Sequence, residues 1–298
     1  MPNTDPAQIH KFIEAAHNGD VKEVRKLADN GMDVNERGAN GLTALMVAAG
    51  EGHMLVLEYL ISRSANPNAK SANGLTALNF AVKWGSNDAV AYLVDHGAEV
   101  NSSNNDGITV LMDAAIDSKI DAVRYLLKEG ADINAKDKFG RTALMYADNI
   151  RIIEQLVDHG ADVNEADKDG RTALMRVSSL GRLDSIEYLL KNGARPGAED
   201  RNGWSAAMFA AFKGHLEALQ LLVKAGAEIK STSGNGITAL AVASGEGRLH
   251  IVKWLIDNNM VDPKTGAKDA ITALMFALAN EHYETARYLE EKFGKPQF

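Results

Sequence analysis

Residues 107–137 carry two short stretches of apolar residues separated by polar ones. The first, residues 109–115, is rich in small side chains. The second recurs at helical spacing, through Ile120, Val123, Leu126 and Leu127. Gly130 follows, where a helix end favours a left-handed residue. The pattern predicts a turn and two short antiparallel helices, with the small residues of the first helix letting neighbouring copies pack closely.

The same pattern returns along nearly the whole chain. Variants of Gly-Leu-Thr-Ala-Leu-Met begin at Gly41, Gly74, Gly107, Gly140, Gly170, Gly203, Gly236 and Ala270. The intervals between them are 33, 33, 33, 30, 33, 33 and 34 residues. A second marker of the type Gly-Ala-Asp-Val-Asn keeps the same phase, at Gly31, Gly97, Gly130 and Gly160. Two markers in one phase indicate a repeat protein.

These repeats resemble the ankyrin repeat over roughly residues 8–293. The family's usual Thr-Pro-Leu-His is here Thr-Ala-Leu-Met in most copies. The resemblance implies an all-α repeat solenoid, an ankyrin-type stack of about nine helix-turn-helix units with β-hairpin loops. In that family the histidine supports the turn by hydrogen bonding, so methionine is expected to replace this bond with apolar packing.

The chain is expected to form a single domain, residues 1–298. Residues 5–35 would be an N-terminal capping unit, 36–269 the internal repeats and 270–298 a C-terminal capping unit. Asp5 and Pro6 are suited to start the first helix. The last helix carries polar residues, namely Glu284, Arg287, Glu290, Glu291 and Lys292. Polar ends are what an open repeat array needs for solubility, so a monomer is expected.

Two irregularities interrupt the pattern. Three residues are missing between Ala147 and Ile152, so Asp148 and Asn149 are predicted to join two helices with almost no turn. Three later loops lack the usual Asn and are expected to be less regular. They are 195–197, the loop at Lys230 and 261–263.

Composition excludes several classes of protein. The chain has 298 residues and no cysteine, which excludes disulfides, thiol catalysis and thiolate metal sites. Its net charge is −8, with 12 basic and 19 acidic residues in 1–137 against 20 and 21 in 138–298. An acidic chain is poorly suited to nucleic acid. Without a long apolar run or a visible export signal, no membrane partner and a cytoplasmic location are predicted. The style of the repeat suggests a bacterial protein.

The sequence shows no motif with the spacing of a catalytic, cofactor or metal site. The eight histidines include His53 and His215, which lie in Gly-His turns and are expected to be structural. No pair of histidines has metal-ligand spacing with a carboxylate in register. The Gly-rich segments 50–52 and 234–236 lack the strand-before-helix context of a phosphate loop. The sequence therefore predicts a protein that is not an enzyme, with no catalytic residue, cofactor or metal.

The resemblance places binding on the concave face of the first helices and on the hairpin tips. The residues predicted to bind a partner protein are Trp84, Asp113, Ile116, Asp117, Phe139, Arg141, Tyr146, Arg171, Arg176, Leu180, Trp204, Phe212 and Lys213. Trp84, Trp204 and Phe212 are large apolar residues predicted to be exposed, as interface anchors are. The positive charges of Arg141, Arg171 and Arg176 suggest a partner with an acidic segment, bound by the middle repeats. Tyr146 and Phe209 could instead pack between neighbouring first helices.

The leading interpretation is a non-enzymatic scaffold that binds a partner protein through its concave face and hairpin tips. Two alternatives stay open. One is an inhibitor or immunity-type regulator that caps a partner enzyme, and the other is a secreted bacterial effector that targets a host protein. The fold does not choose among them, because repeat arrays share a scaffold and differ in what they hold.

Overall fold

The computed structural model describes residues 5–229, 237–261 and 266–294. The described residues form eighteen α-helices, one 3₁₀ turn (Ala39–Gly41) and no strand. The helices are α1 Pro6–His17, α2 Val21–Asp29, α3 Ala44–Glu51, α4 Met54–Ser62, α5 Ala77–Trp84, α6 Asn87–Asp95, α7 Val110–Ile116, α8 Ile120–Lys128, α9 Ala143–Tyr146, α10 Ile150–Asp158, α11 Ala173–Ser179, α12 Leu183–Lys191, α13 Ala206–Lys213, α14 Leu216–Lys224, α15 Ala239–Gly245, α16 Leu249–Asp257, α17 Gly266–Ala279 and α18 Tyr283–Phe293. The sequence features at 230–236 and 262–263 lie outside the described residues.

The helices alternate as the repeat predicts, a first helix followed by an antiparallel second one. The repeat threonine caps the first helix in α3, α7, α11 and α15. Its hydroxyl accepts the backbone N–H three residues later at 3.2–3.4 Å. Ser205 caps α13 in the same way. A short side chain with an acceptor oxygen is what a helix start requires, which explains the Thr of each repeat.

The core lies between first and second helices. In α8, Val123 and Leu126 are fully buried, as the apolar spacing predicts. Five of the six repeat methionines are no more than 6% exposed, namely Met46, Met112, Met145, Met175 and Met208, whereas Met275 is 56% exposed. The prediction that methionine packs as an apolar residue in place of the family's histidine is confirmed in those five repeats and wrong in the last.

Successive loops are joined by an asparagine ladder, formed by Asn35, Asn68, Asn101, Asn134 and Asn164. Each side-chain amide donates to a backbone carbonyl of the next repeat at 2.8–3.4 Å. The side-chain oxygens of four of them also accept a backbone N–H of that next repeat, at 2.7–2.9 Å, namely those of Asn35, Asn68, Asn101 and Asn164. The next equivalent position is Gly197, which has no side-chain amide to continue the ladder.

The loops themselves contain isolated antiparallel bridges rather than strands. These bridges pair Ser103 with Thr109, Ala166 with Thr172, and Glu199 with Ser205. The loop after 195–197 therefore keeps the backbone pairing of the earlier loops, and the prediction that it is less regular is wrong there. What it loses is the rung of the asparagine ladder.

The shortened repeat loses helix rather than turn. α9 has four residues, against seven in α7. The linker between α9 and α10 spans 147–149, as long as the linker 117–119 between α7 and α8. The prediction of almost no turn at Asp148 and Asn149 is therefore wrong, because the three missing residues come from the first helix.

The chain divides into two compact units at this point. The N-terminal unit comprises Met1–Ala147 with Asp158–Ala161, and the C-terminal unit comprises Asp148–Val157 with Asp162–Phe298. The single domain and its capping boundaries stay a prediction. The polar outer face expected of the last repeat is present on α18, but α17 exposes apolar side chains instead. Within the described ranges, no helix is both long and apolar enough to cross a membrane.

Candidate protein-binding surface

The predicted binding residues divide between the two units. The N-terminal unit holds Trp84, Asp113, Ile116, Asp117, Phe139, Arg141 and Tyr146. The C-terminal unit holds Arg171, Arg176, Leu180, Trp204, Phe212 and Lys213.

In the N-terminal unit, Trp84 ends α5 and is 60% exposed, as predicted. Its ring lies 5.3 Å from that of Phe80 and 5.7 Å from the ammonium nitrogen of Lys83. Ile116 and Asp117, at the end of α7, are also exposed. These side chains are available to a partner.

Asp113 is not exposed, and the prediction that it lies on the surface is wrong. It is 2% exposed, and its carboxylate accepts from the Asn79 amide at 2.8 Å and from the Lys83 ammonium at 3.1 Å. Asn79 is itself fully buried on the preceding first helix. The polar side chain is buried because a partner from the neighbouring repeat satisfies it.

Arg141 is already neutralised by its own hairpin. Its guanidinium carbon lies 4.5 Å from the Phe139 ring centroid and 5.1 Å from that of Tyr146. Its Nε lies 3.2 Å from the buried Asp137 carboxylate. Phe139 is exposed, whereas Tyr146 is half-buried and donates its hydroxyl to Asp137 at 2.6 Å. The arginine therefore braces the hairpin, and Asp137 offsets part of its charge.

This arrangement changes the titration of Asp137. Burial alone would raise the pKa of the carboxyl group. Hydrogen bonds from the Tyr146 hydroxyl and the backbone N–H groups of Arg141 and Phe139, with the Arg141 charge, outweigh burial and lower the pKa below its ordinary value. Asp137 therefore stabilises the folded state in its ionised form.

Tyr146→Phe is expected to lower the free energy of unfolding at pH 7 by about 2 kcal/mol, the value of a hydrogen bond to a charged group. A carboxyl with a lowered folded pKa stabilises the fold above its unfolded pKa and loses this effect as pH falls through the folded one. The difference between wild type and variant should therefore shrink with acidification. Urea unfolding at several pH values measures it. A difference independent of pH would contradict the role of Asp137.

The C-terminal unit carries a continuous aromatic cluster. The ring of Trp204 lies 5.2 Å from that of Phe209 and 5.6 Å from that of Phe212. All three residues are half-buried, so Trp204 and Phe212 are less exposed than predicted. They shield one another, and Phe209 joins the hairpin tip to α13.

Two cations border this cluster, and a third lies on the neighbouring helix α11. The guanidinium carbon of Arg171 lies 5.7 Å from the Phe209 ring, and its Nε lies 3.6 Å from the buried Asp200 carboxylate. The Lys213 ammonium lies 4.9 Å from the Phe212 ring. Arg176 is exposed on α11, with no ion pair in the part of the chain that the structure describes, and Leu180 is exposed at the end of the same helix.

We call Arg171, Arg176, Trp204, Phe209, Phe212 and Lys213 the aromatic–cationic surface. Arg176 and Phe209 occupy the same position in adjacent first helices, α11 and α13, which pack together. The surface thus combines apolar rings with charges that are only partly neutralised. Such a combination suits a ligand that carries both carboxylates and apolar groups.

Two histidines form hydrogen bonds to the last residues of preceding first helices. The Nε2 atom of His53 lies 2.8 Å from the carbonyl oxygen of His17, and that of His215 lies 3.2 Å from that of Ser179. The prediction that these two are structural is confirmed. Among the described residues, no group of three or more His, Asp or Glu is placed to hold a metal ion.

Comparison with known sequences agrees with the helical repeat. The family model described as "Ankyrin repeats (3 copies)" matches residues 12–104, 100–167, 148–233 and 207–296. A segment of 53 residues is 40% identical to "Glutaminase liver isoform, mitochondrial" of Mus musculus. That segment is 18% of this chain and spans only 9% of the mouse protein.

Proposed function

Because the chain belongs to the ankyrin repeat family, whose repeats are generally protein–protein interaction modules, we propose that it is a non-enzymatic binding protein. In this proposal the aromatic–cationic surface holds an acidic segment of the partner. A cytoplasmic location and a bacterial origin stay predictions from the sequence. The short match to the mouse glutaminase brings no activity into the proposal, because it covers a small part of either protein.

The observation that carries the proposal is the meeting of three aromatic rings and two cations on the C-terminal unit, with the exposed Arg176 on the adjacent first helix. Large rings supply contact area at little cost in side-chain entropy, and arginine adds directional hydrogen bonds to carboxylates. Arg176 gives this surface a cation without an ion pair among the described residues, whereas Arg141 in the N-terminal unit is bound to Asp137. The net charge of the whole chain is −8, so the cations are a local exception.

Selection from a displayed random-peptide library against the full chain tests the proposal. Enriched peptides should contain Asp or Glu beside an aromatic or aliphatic residue, and their affinity should fall as salt rises. Trp204→Ala should weaken binding of the best peptide about 30-fold, the effect of losing an interface hot spot of about 2 kcal/mol. Arg176→Glu should weaken it at least 10-fold, because the new charge repels the carboxylates.

Two variants of the N-terminal unit serve as controls. Arg124→Glu makes the same charge change at an exposed arginine of α8, and Leu55→Ala truncates an exposed apolar side chain of α4. Both should leave peptide affinity within about twofold. Enriched peptides without acidic residues would contradict the choice of ligand. Equal affinity of the Trp204→Ala and Arg176→Glu variants and wild type would contradict the choice of surface.

A further inference from the structure

Helix α17 presents an uncovered apolar face. Ile271, Met275 and Leu278 are 42%, 56% and 45% exposed. Their spacing of four and three residues places them on one side of the helix. Of the twelve large apolar side chains that are exposed among the described residues, half lie in this last repeat, namely Ile271, Met275, Phe276, Leu278, Tyr283 and Phe293.

Two of these three positions, those of Met275 and Leu278, are buried in the preceding repeats, whereas the equivalents of Ile271 in the two preceding repeats, Trp204 and Ile237, are half-buried. Met275 is equivalent to Met208 and Ala241, and Leu278 is equivalent to Ala211 and Ser244. All four of these equivalents are buried. The helices that carry them are each covered by the first helix of the next repeat. Helix α13 packs against α15, and α15 packs against α17. The exposed face of α17 is therefore an inter-repeat packing face that no described helix covers.

We propose that this face pairs with the same face of a second copy of the chain, α17 against α17 about a twofold axis. The segment 270–280 contains no charged residue, so two copies can meet without burying like charges. A twofold interface requires only that a surface be compatible with itself. The 14 residues of α17, twice the length of α15, give a helix of about 21 Å along which the stripe can pair.

The first helix of the chain is an unsuitable alternative partner. The exposed residues of α1 include His10, Lys11 and Glu14, and Lys11 forms an ion pair with Glu23 at 2.9 Å. Packing α17 against this polar helix would remove charged groups from water. Head-to-tail assembly is thus disfavoured, and the closed twofold dimer replaces the monomer expected from polar ends.

The pairing does not rest on the proposed peptide-binding function. The face lies on α17, whereas the aromatic–cationic surface lies on α11, α13 and the loops before them. A variant that no longer dimerises should still bind the peptide, and a variant that no longer binds the peptide should still dimerise. A dimer would also present two copies of the aromatic–cationic surface, so a partner with two acidic segments would gain avidity from it.

Sedimentation velocity over a range of protein concentrations tests the dimer. The wild type should show a reversible monomer–dimer equilibrium, and a variant with Met275→Glu and Leu278→Glu should remain a monomer throughout. Leu55→Glu is the matched control, since Leu55 is 66% exposed on α4 in the N-terminal unit. It should dimerise as the wild type does. Circular dichroism verifies that each variant is folded.

Cross-linking gives a second measurement that does not depend on disrupting the face. The chain lacks cysteine, so an introduced thiol is unique. Met275→Cys should form a covalent dimer with a short bismaleimide, whereas Leu55→Cys should not. A wild type that stays monomeric at every concentration would overturn the proposal. So would a dimer that the double glutamate variant leaves unchanged, or equal cross-linking from both thiols.

Discussion

Gly85→Ala is expected to lower the free energy of unfolding of the N-terminal unit by about 3 kcal/mol, the upper end of the usual cost of overpacking. Gly85 directly follows α5, where the chain passes close to α3. A Cβ atom there would overlap the carbonyl oxygen of Ala49 and lie 2.9 Å from the Cα of Ala81. Both obstacles are backbone, so relief requires moving two packed helices. Urea unfolding followed by circular dichroism measures the loss.

Gly97→Ala is the matched control. Gly97 has a φ of +89°, but a Cβ atom there would meet nothing within 4 Å. The substitution should therefore cost only the strain of a left-handed alanine, about 1 kcal/mol. Gly85 itself has a φ of −86°, which any residue adopts, so the overlap with α3 is the expected reason for glycine there. A loss at Gly85 no larger than the loss at Gly97 would contradict it.

Asn79→Met and Asp113→Val are each expected to lower the free energy of unfolding by about 2 kcal/mol, whereas the double variant should recover most of the loss. Asn79→Met removes one of the two donors to the buried Asp113 carboxylate, and Asp113→Val leaves the buried Asn79 amide N–H without its acceptor. The double change removes both groups and restores the residue types of other repeats, where Met46 and Met112 are equivalent to Asn79, and Val47 to Asp113. A double-mutant cycle measures the coupling, expected to be about 3 kcal/mol, because the double variant should lose about 1 kcal/mol where independent changes would lose about 4 kcal/mol.

Lys83 decides how complete the recovery is. Its side chain is 26% exposed, so it can turn to solvent when Asp113 is removed. Adding Lys83→Ala to the double variant should change stability little. If the losses of the two single variants simply added, the Asn79–Asp113 hydrogen bond would not be the reason for burying these groups.

The repeat period predicts most of the fold, because the same pattern is tested in each copy. The helix pairs, the Thr starts and the buried methionines all follow from it. The exceptions involve two repeats at once. Asp113 is buried because Asn79 replaces methionine on the neighbouring helix, and the signal was a pair of departures from the repeat, 34 residues apart. A pattern read one repeat at a time gives no reason to connect them.

The binding surface is less predictable for a related reason. Sequence position indicates which residues reach the surface, but not which charges are already neutralised. Arg141 meets a buried carboxylate four residues earlier, while Arg176 has no ion pair among the described residues. Likewise, the spacing gives three missing residues near Asp148, but it does not indicate whether helix or turn is shortened. These outcomes depend on side-chain packing in three dimensions.

The asparagine ladder implies that the repeats do not come apart with equal ease. In a linear array, stability is approximately a sum of repeat stabilities and nearest-neighbour couplings. Up to the Asn164–Arg195 bond each rung adds to the coupling between neighbours, and from Gly197 this contribution stops. Cooperative opening should therefore begin among the repeats that follow Gly197, and folding should nucleate among the repeats that the ladder joins. The position of a single side-chain amide thus divides the array into an early-folding and a late-folding part.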